Sequence, residues 1–417
     1  MVMRLGRAAA MAAFLSVAAV SFGQAQAQDD PPARPSFAGE SLGAGPWDFH
    51  SEHGPLHLEV VVQLERPWGM AFLPEGGMLV TERVGRLRHI AADGTLDPRP
   101  IAGLPAMYTL GIAGLKGIAL HPDFAENRLV YMAYSKVDPE DETNSTLAVM
   151  RGRWEAGADT LTDVEDIFVA DTWYGAMPLP DRCCGQGPAF GSYGGRILFD
   201  PDGYLFVTSG DRNWGERVQD PASQYGKIFR MTDEGEVPPG NPWVGLEGHE
   251  PLTWSTGHRN PLGLTYNTAT GEIWESEFGP RGGDEVNRIL RGGNYGWMPV
   301  TQGMHYDGTQ AEALRNAPGM IDPVLVYGPP SFNPGNLAFY NAEAIPEWQG
   351  DLLLGSFTQG LLRYDTDNTG APIGEPERLL RDLGQRWRDV QVGPDGAVYL
   401  LTDQVEGALL KLTAGTD

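Results

Sequence analysis

The sequence predicts an all-β chain folded as a six-bladed β-propeller, each blade a four-stranded antiparallel sheet. Three observations predict it: one hairpin pattern recurs six times, the copies span most of the chain, and helical periodicity is nearly absent. Each copy is an apolar alternating run, a turn with Pro, Asp or Gly, and a second apolar run. The first three are WGMAFLPEGGMLVTER from Trp68, GIALHPDFAENRLVYMAYS from Gly117 and GGRILFDPDGYLFVTSGDR from Gly194. The others are GLTYNTATGEIWESEFGP from Gly263, GNLAFYNAEAIPEWQGDLLLGSF from Gly335 and RDVQVGPDGAVYLLTD from Arg388. Each first run alternates with period two, the mark of a half-buried strand. Turns such as PEGG, PDG and TATG hold residues that pre-set turn dihedrals. Hairpins recurring every roughly 50–80 residues, rich in glycine and aromatics, mark a blade series. Because each blade packs only on its neighbours, residues 56–417 read as a single domain.

Two segments precede that domain. Residues 1–27 read as a secretory signal peptide: Arg4 and Arg7 precede the apolar run AAAMAAFLSVAAV, and Ala25-Gln26-Ala27 gives the small-x-small cleavage pattern. The run is too short and too alanine-rich for a membrane span, and no later stretch approaches the roughly 20 apolar residues a span needs. A periplasmic or secreted location is therefore expected. Residues 28–55 read as an extended N-terminal lead-in. The 417 residues carry a formal charge of −25, more negative once Arg4 and Arg7 are removed. Such a surface repels nucleic acid and anionic lipid. An anionic cofactor would need a local basic pocket.

The only two cysteines, Cys183 and Cys184, are adjacent. Export favours oxidation, yet a bridge between neighbours closes almost no chain and adds negligible loop entropy. Disulfides prefer Cα atoms about 4.4–6.8 Å apart, whereas neighbours sit at about 3.8 Å. The ring would be strained and rigid, a shaped or redox-active loop as readily as a structural one. It lies in Thr172–Gly195, one of two segments longer than a blade needs; the other is Thr301–Asn336. Long ordered loops on a rigid scaffold are where function concentrates. No Gly-rich phosphate loop, zinc pattern or C-x-x-C-H haem motif is present.

Several stretches resemble the soluble quinoprotein glucose and aldose sugar dehydrogenases. They include RPWGMAFLPEGGMLVTERVGRLR, VQDPASQYGKIFRMTDEGEVPPGNP, STGHRNPLGLTYNTATGEIW, FGPRGGDEVNRILRGGNYGW and QRWRDVQVGPDG, spread from about Leu64 to Leu412. The resemblance implies pyrroloquinoline quinone (PQQ) and Ca²⁺ bound above the central channel, with a sugar or related alcohol as substrate and an external electron acceptor. A carboxylate-bearing quinone calls for arginine forks, and Ca²⁺ for hard oxygen ligands. Residue by residue, the resemblance places Arg259 and Asn260 beside the quinone, Arg386 and Arg388 on its carboxylates, and the carbonyls of Gly279 and Pro280 on Ca²⁺. Asp284 would orient that loop. Residues two apart in a strand face one side, so Arg386 and Arg388 are expected to converge, either on the quinone or, in so acidic a chain, in salt bridges to neighbouring carboxylates. Cys183 and Cys184 are expected to present a rigid surface to the quinone.

The departures fall on one side of that site. Ser192 stands where the family has its catalytic histidine, Ile112 where it has a glutamine, Thr358 where it has a lysine, and Phe278 where it has a polar residue. The catalytic base is left open among Asp181, His258, Glu277 and His305, each of which is as readily an ordinary solvated or hydrogen-bonded residue. Two other readings stay open: a calcium-containing propeller hydrolase, lactonase or lyase, which needs several side-chain carboxylates on the metal, and a non-catalytic propeller that keeps an anion site.

Overall fold

The computed structural model describes residues 42–174, 191–309 and 314–416. The expected signal peptide, the first part of the lead-in, Asp181, Cys183 and Cys184 lie outside them. Six antiparallel sheets follow one another along the chain as the blades of a propeller. The first blade holds Pro67–Phe72, Met78–Glu82 and Arg86–Ile90. The second holds Leu115–Leu120, Leu129–Val137, Ser145–Arg153 and Thr162–Val169. The third is Gly194–Phe199, Leu205–Ser209, Lys227–Met231 and Thr253–Thr256. The fourth is Pro261–Asn267, Glu272–Glu277, Asp284–Ile289 and Leu325–Tyr327. Pro334–Phe339, Leu352–Ser356, Gly360–Tyr364 and Glu377–Leu379 form the fifth.

The sixth blade is made from both ends of the chain. Trp387–Val392, Val398–Thr402 and Glu406–Ala414 are joined by Gly54–Glu65, which pairs from Leu56 opposite Ala414 to Glu65 opposite Glu406. Trp47–Ser51 adds a fifth strand outside it. In the first blade the fourth strand shrinks to a bridge between Leu87 and Ile101. Pro98 and Pro100, which have no N–H to give a ladder, precede that bridge.

The strands are buried more fully than a half-buried reading allows. In Leu129–Val137, Val130, Met132 and Tyr134 pack toward the first blade while Tyr131 and Ala133 pack toward the third. Period-two alternation here separates two apolar contacts rather than core from solvent, because a blade is sandwiched between neighbours. Six apolar clusters result, one at each blade-to-blade interface. The two beside the sixth blade include Leu56, Leu58 and Leu64 from the closing strand.

The innermost strands contact one another in turn around the ring. All six carry a register shift near their start: at Pro67/Gly69, Leu115/Ile118, Gly194/Ile197, Pro261/Gly263, Pro334/Leu337 and Trp387/Asp389. A bulge leaves a residue unpaired and re-aims its side chain, and here the shifts fall at Trp68, Lys116, Arg196 and Arg388. The inner strands approach closely: a Cβ on Gly335 would come within 2.2 Å of the Trp387 carbonyl. Arg196 crosses from the third blade to the sixth, where its Nη1 meets Asp389 Oδ1 at 3.1 Å, while its Nε donates to Leu262 O and its guanidinium lies 4.3 Å from the Trp68 ring. Both charges are buried.

Removing one partner of a buried pair costs about 3–5 kcal/mol, while replacing both by apolar groups costs far less. Asp389→Ala should therefore lower unfolding stability by about that amount, and Arg196→Met with Asp389→Leu should recover most of it, read by urea denaturation.

Candidate active site

Each inner strand starts at one rim of the propeller, and each second strand returns to that rim. The segments just before the inner strands, and the turns joining second to third strands, therefore share one end of the channel. Ile112, Ser192, Arg259, Asn260 and Arg386 belong to the first set; Arg83, Gly279, Pro280, Thr358 and Asp403 belong to the second. Topology alone gathers them.

The basic side is built around one carboxylate. Arg386 donates from Nε and Nη2 to Asp403 Oδ2 at 3.2 and 3.1 Å, and Arg388 donates from Nε and Nη2 to Oδ1 at 3.0 and 2.7 Å. Arg83 Nη1 lies 3.6 Å from the same Oδ1. The two arginines converge as their spacing predicts, with the ring of Phe357 4.1 Å from one guanidinium and 4.5 Å from the other. Burial alone would raise the Asp403 pKa, but Arg388, Arg83 and Arg386 hold it well below the usual carboxylate range. Burial pulls the Arg388 guanidinium down to about 10, against the pull of Asp403. Three guanidiniums on one carboxylate leave an excess of positive charge, which fits an anionic ligand.

The opposite side is the turn Phe278-Gly279-Pro280. Asp284 holds it: its Oδ1 accepts from the Gly279 N–H at 2.8 Å, and its Oδ2 from the N–H groups of Phe332 and Asn333 at 2.6 and 2.9 Å. Arg259 Nη1 donates to the carbonyls of Phe278 and Gly279 at 2.9 and 3.2 Å, and Met304 N–H donates to Pro280 O at 2.7 Å. A carbonyl oxygen has two lone pairs, so the Gly279 and Pro280 carbonyls each retain one for a cation. Asn260 joins this turn to the third blade, accepting from Gly194 N–H through Oδ1 at 3.2 Å.

Side-chain donors for a metal also gather, but beneath the turn. His258, Glu275 and Glu277 offer ligand atoms within 4.8 Å of one another, all buried. Asn287 Nδ2 donates to Glu275 and Glu285 at 3.2 Å each. Burial raises all three carboxyls above their ordinary range, Glu277 to about 8. Two candidate bases belong to this cluster. Burial pushes His258 down to about 3, and its Nε2 pairs with Ser255 Oγ at 2.9 Å. Glu277 Oε2 accepts from the backbone N–H groups of Arg259 and Asn260 at 2.5 and 3.2 Å. Both are supports of the rim, not groups facing it. His305, half-buried, accepts no such role: its N–H closes a turn onto Thr309 O.

Sequence comparison places this architecture. Residues 64–411 match the family model of glucose/sorbosone dehydrogenases. The chain belongs to that family. It is 37% identical over 362 residues to the aldose sugar dehydrogenase YliI of Escherichia coli, covering 86% of this chain and 93% of that one. It is 24% identical to quinoprotein glucose dehydrogenase B of Acinetobacter calcoaceticus, over 82% and 84% of the two chains. Among solved structures, the PQQ-bound aldose sugar dehydrogenase of Streptomyces coelicolor superposes with a TM-score of 0.68 at 26% identity, covering 86% of this chain and 98% of that one.

Within the glucose/sorbosone dehydrogenase frame, the departures can be located. Ser192 is buried with a left-handed backbone, φ 49°, and its hydroxyl donates to Asn213 Oδ1 at 3.4 Å. Beside it stands Asp211, absent from the sequence-based candidates. Asp211 accepts from Trp297 Nε1 and from Asn213 N–H, each at 2.8 Å. Burial raises its pKa despite Arg259, those two donors and the Ser192 hydroxyl. Thr358 turns away, its Oγ1 donating to Phe332 O at 2.9 Å. Phe278 packs edge-on against Phe357 at 5.5 Å, an apolar contact between the Gly279-Pro280 turn and the arginine-side turn.

Asp403→Asn should destabilise the protein at neutral pH by about 3–5 kcal/mol, the cost of stranding a buried partner charge. A carboxyl whose folded pKa is depressed stabilises above its unfolded value, about 3.9, and loses that contribution as the pH falls further. The gap between wild type and variant should therefore shrink below about pH 3.9, read by chemical denaturation across pH.

Proposed function

We propose that this protein is an exported quinone- and calcium-dependent dehydrogenase that oxidises an aldose, or a related alcohol or aldehyde, for an external electron acceptor. One observation carries the cofactor reading: a chain of net charge −25 gathers Arg83, Arg386 and Arg388 on the single carboxylate of Asp403 at the channel rim. Family membership, the sugar dehydrogenases among its relatives and the PQQ-bound neighbour support the same reading. The signal-like N-terminal segment supports export.

When bound, the quinone supplies a two-electron acceptor and calcium a Lewis acid that polarises it. The chain's own residues do the rest. Arg386, Arg388 and Arg83 orient the acidic groups, in a buried setting where charge-assisted bonds are strong. The carbonyls of Gly279 and Pro280 hold calcium, and Asp284 keeps their turn in place. Arg259 and Asn260 brace the quinone edge from the fourth blade. Asp211, which accepts from Asn213 N–H and Trp297 Nε1 and whose pKa burial raises, is the candidate proton acceptor beside Ser192.

The first test is calorimetric titration of the purified protein with PQQ, with and without Ca²⁺, followed by dye reduction with sugars and alcohols. Calcium-dependent binding with turnover is the expected result. Binding without turnover would leave an anion-binding propeller, and no binding would overturn the quinone reading. Loss of a general base costs about 10²–10⁴-fold in rate, so Asp211→Asn should lower kcat by that factor while PQQ affinity stays within a few fold.

A further inference from the structure

Among the described residues, the buried Lys116 has no carboxylate within ion-pair distance. Lys116 lies on the inner strand of the second blade, inside the register shift between Leu115 and Ile118, so its side chain leaves the ladder and enters the channel. It is 2% exposed. An ammonium carries three donors, and Nζ makes one hydrogen bond, to the Ile112 carbonyl at 2.9 Å. The charged groups acting on it are Arg83, Arg388 and Arg212, all cationic, and Asp403, whose charge three arginines already share. Its other neighbours are rings, Tyr193 at 5.0 Å and Trp68 at 5.6 Å. Tyr193 binds Ser145 Oγ through its hydroxyl and carries the Arg212 guanidinium on its face at 3.8 Å.

The fold makes room for this side chain. Gly195, on the neighbouring inner strand, has φ +94°, and a Cβ there would lie 2.5 Å from Lys116 Cδ. The path ends at Ile112, 41% exposed at the rim, where the family resemblance places a glutamine against the quinone. Thr358, at the position of the family's lysine, is turned onto Phe332 O. The polar contact missing at Ile112 thus has a substitute bonded to that residue's own carbonyl.

We propose that Lys116 binds an acidic or carbonyl oxygen of the anionic cofactor and takes up a proton from solvent as the cofactor enters. This rests on the quinone reading above. Without a ligand, burial first, and then Arg83, Arg388 and Arg212, push the lysine pKa well down. Both effects disfavour the ammonium in the empty site, where the Ile112 carbonyl is its one hydrogen-bond acceptor among the described residues. An arriving carboxylate supplies the absent counter-charge, the unprotonated fraction of the amine captures a proton from the buffer, and the ammonium's remaining donors gain partners. No covalent bond of the cofactor changes.

The test is calorimetry of the full protein with Ca²⁺ and PQQ at pH 8, in buffers of different ionisation enthalpy, whose slope counts protons. Wild type should take up a measurable fraction of a proton per cofactor, up to about one, by linkage between binding and protonation. Its affinity should fall as the pH rises from 7 to 10, up to about tenfold per pH unit. Lys116→Met should bind roughly tenfold or more weakly, with no uptake, while its thermal unfolding temperature stays level or rises. A wild-type proton count of zero, or a Met variant with unchanged affinity and count, would overturn the role of Lys116 alone. Absence of any wild-type binding would overturn the quinone reading and this inference together. The pH series on wild type needs no variant, so a misfolded Lys116→Met would not protect the proposal.

Discussion

The pairing of Gly54–Glu65 with Glu406–Ala414 is the constraint on which the rest depends. A propeller blade buries both faces against its neighbours, so an open series would leave two apolar faces in water. The closing strand removes both ends at once: its register runs the length of the last strand, and Leu56, Leu58 and Leu64 enter the clusters on either side. Only in a closed ring do six inner strands face one axis. The six register shifts at their starts can then aim Trp68, Lys116, Arg196 and Arg388 at a common space. Without closure these would be side chains on separate sheets.

Charge is handled by the same economy of position. The surface is strongly acidic, yet the rim concentrates guanidiniums where water is scarce and Coulomb interactions are least screened. Asp403 keeps that concentration foldable, since three unpaired buried cations would be costly. Deeper in the channel, Arg196 and Asp389 neutralise each other across the ring, so they add no net field at the rim. On the opposite turn, Asp284 uses its carboxylate on three backbone N–H groups, one of them that of Gly279. The carboxyls of Glu275 and Glu277 gather instead with His258, buried on and beside the second strand of the fourth blade.

Much of this was legible in the chain. Six hairpins with alternating apolar residues and Pro, Asp or Gly turns are local signals, and the all-β ring follows from them. Arg386 and Arg388 converge as their spacing suggests, although Arg386 stands just before the strand and Arg388 in its register shift. What they converge upon was not legible, because Asp403 lies in a turn beyond the next strand and Arg83 in another blade. Arg196 and Asp389, 193 residues apart, have no signal at either position. Lys116 reads as a polar interruption of an apolar run until the bulge turns it inward. Asp211 reads as a turn residue in SGDR until burial and Trp297 mark it. His258 and Glu277 were open as bases or as ordinary hydrogen-bonded residues, and the sequence could not show that both are buried in a hydrogen-bonded cluster of the fourth blade. Even strand number followed local chemistry, with Pro98 and Pro100 beside the missing strand of the first blade.

The seam also governs when folding can finish. The closing strand is among the first parts of the domain to be made and its partner is the last, with 356 residues between His57 and Thr413. At synthesis rates of about 5–20 residues per second, that gap is on the order of half a minute. Throughout it, one edge of Gly54–Glu65 has every other N–H and C=O unpaired, a template for the wrong strand of another chain. Blades formed locally as they emerge can cover one another's faces, but the two end faces of the series stay uncovered until Ala414 is in place. The fold is therefore exposed to aggregation for as long as it is unfinished, and the hazard ends in one step.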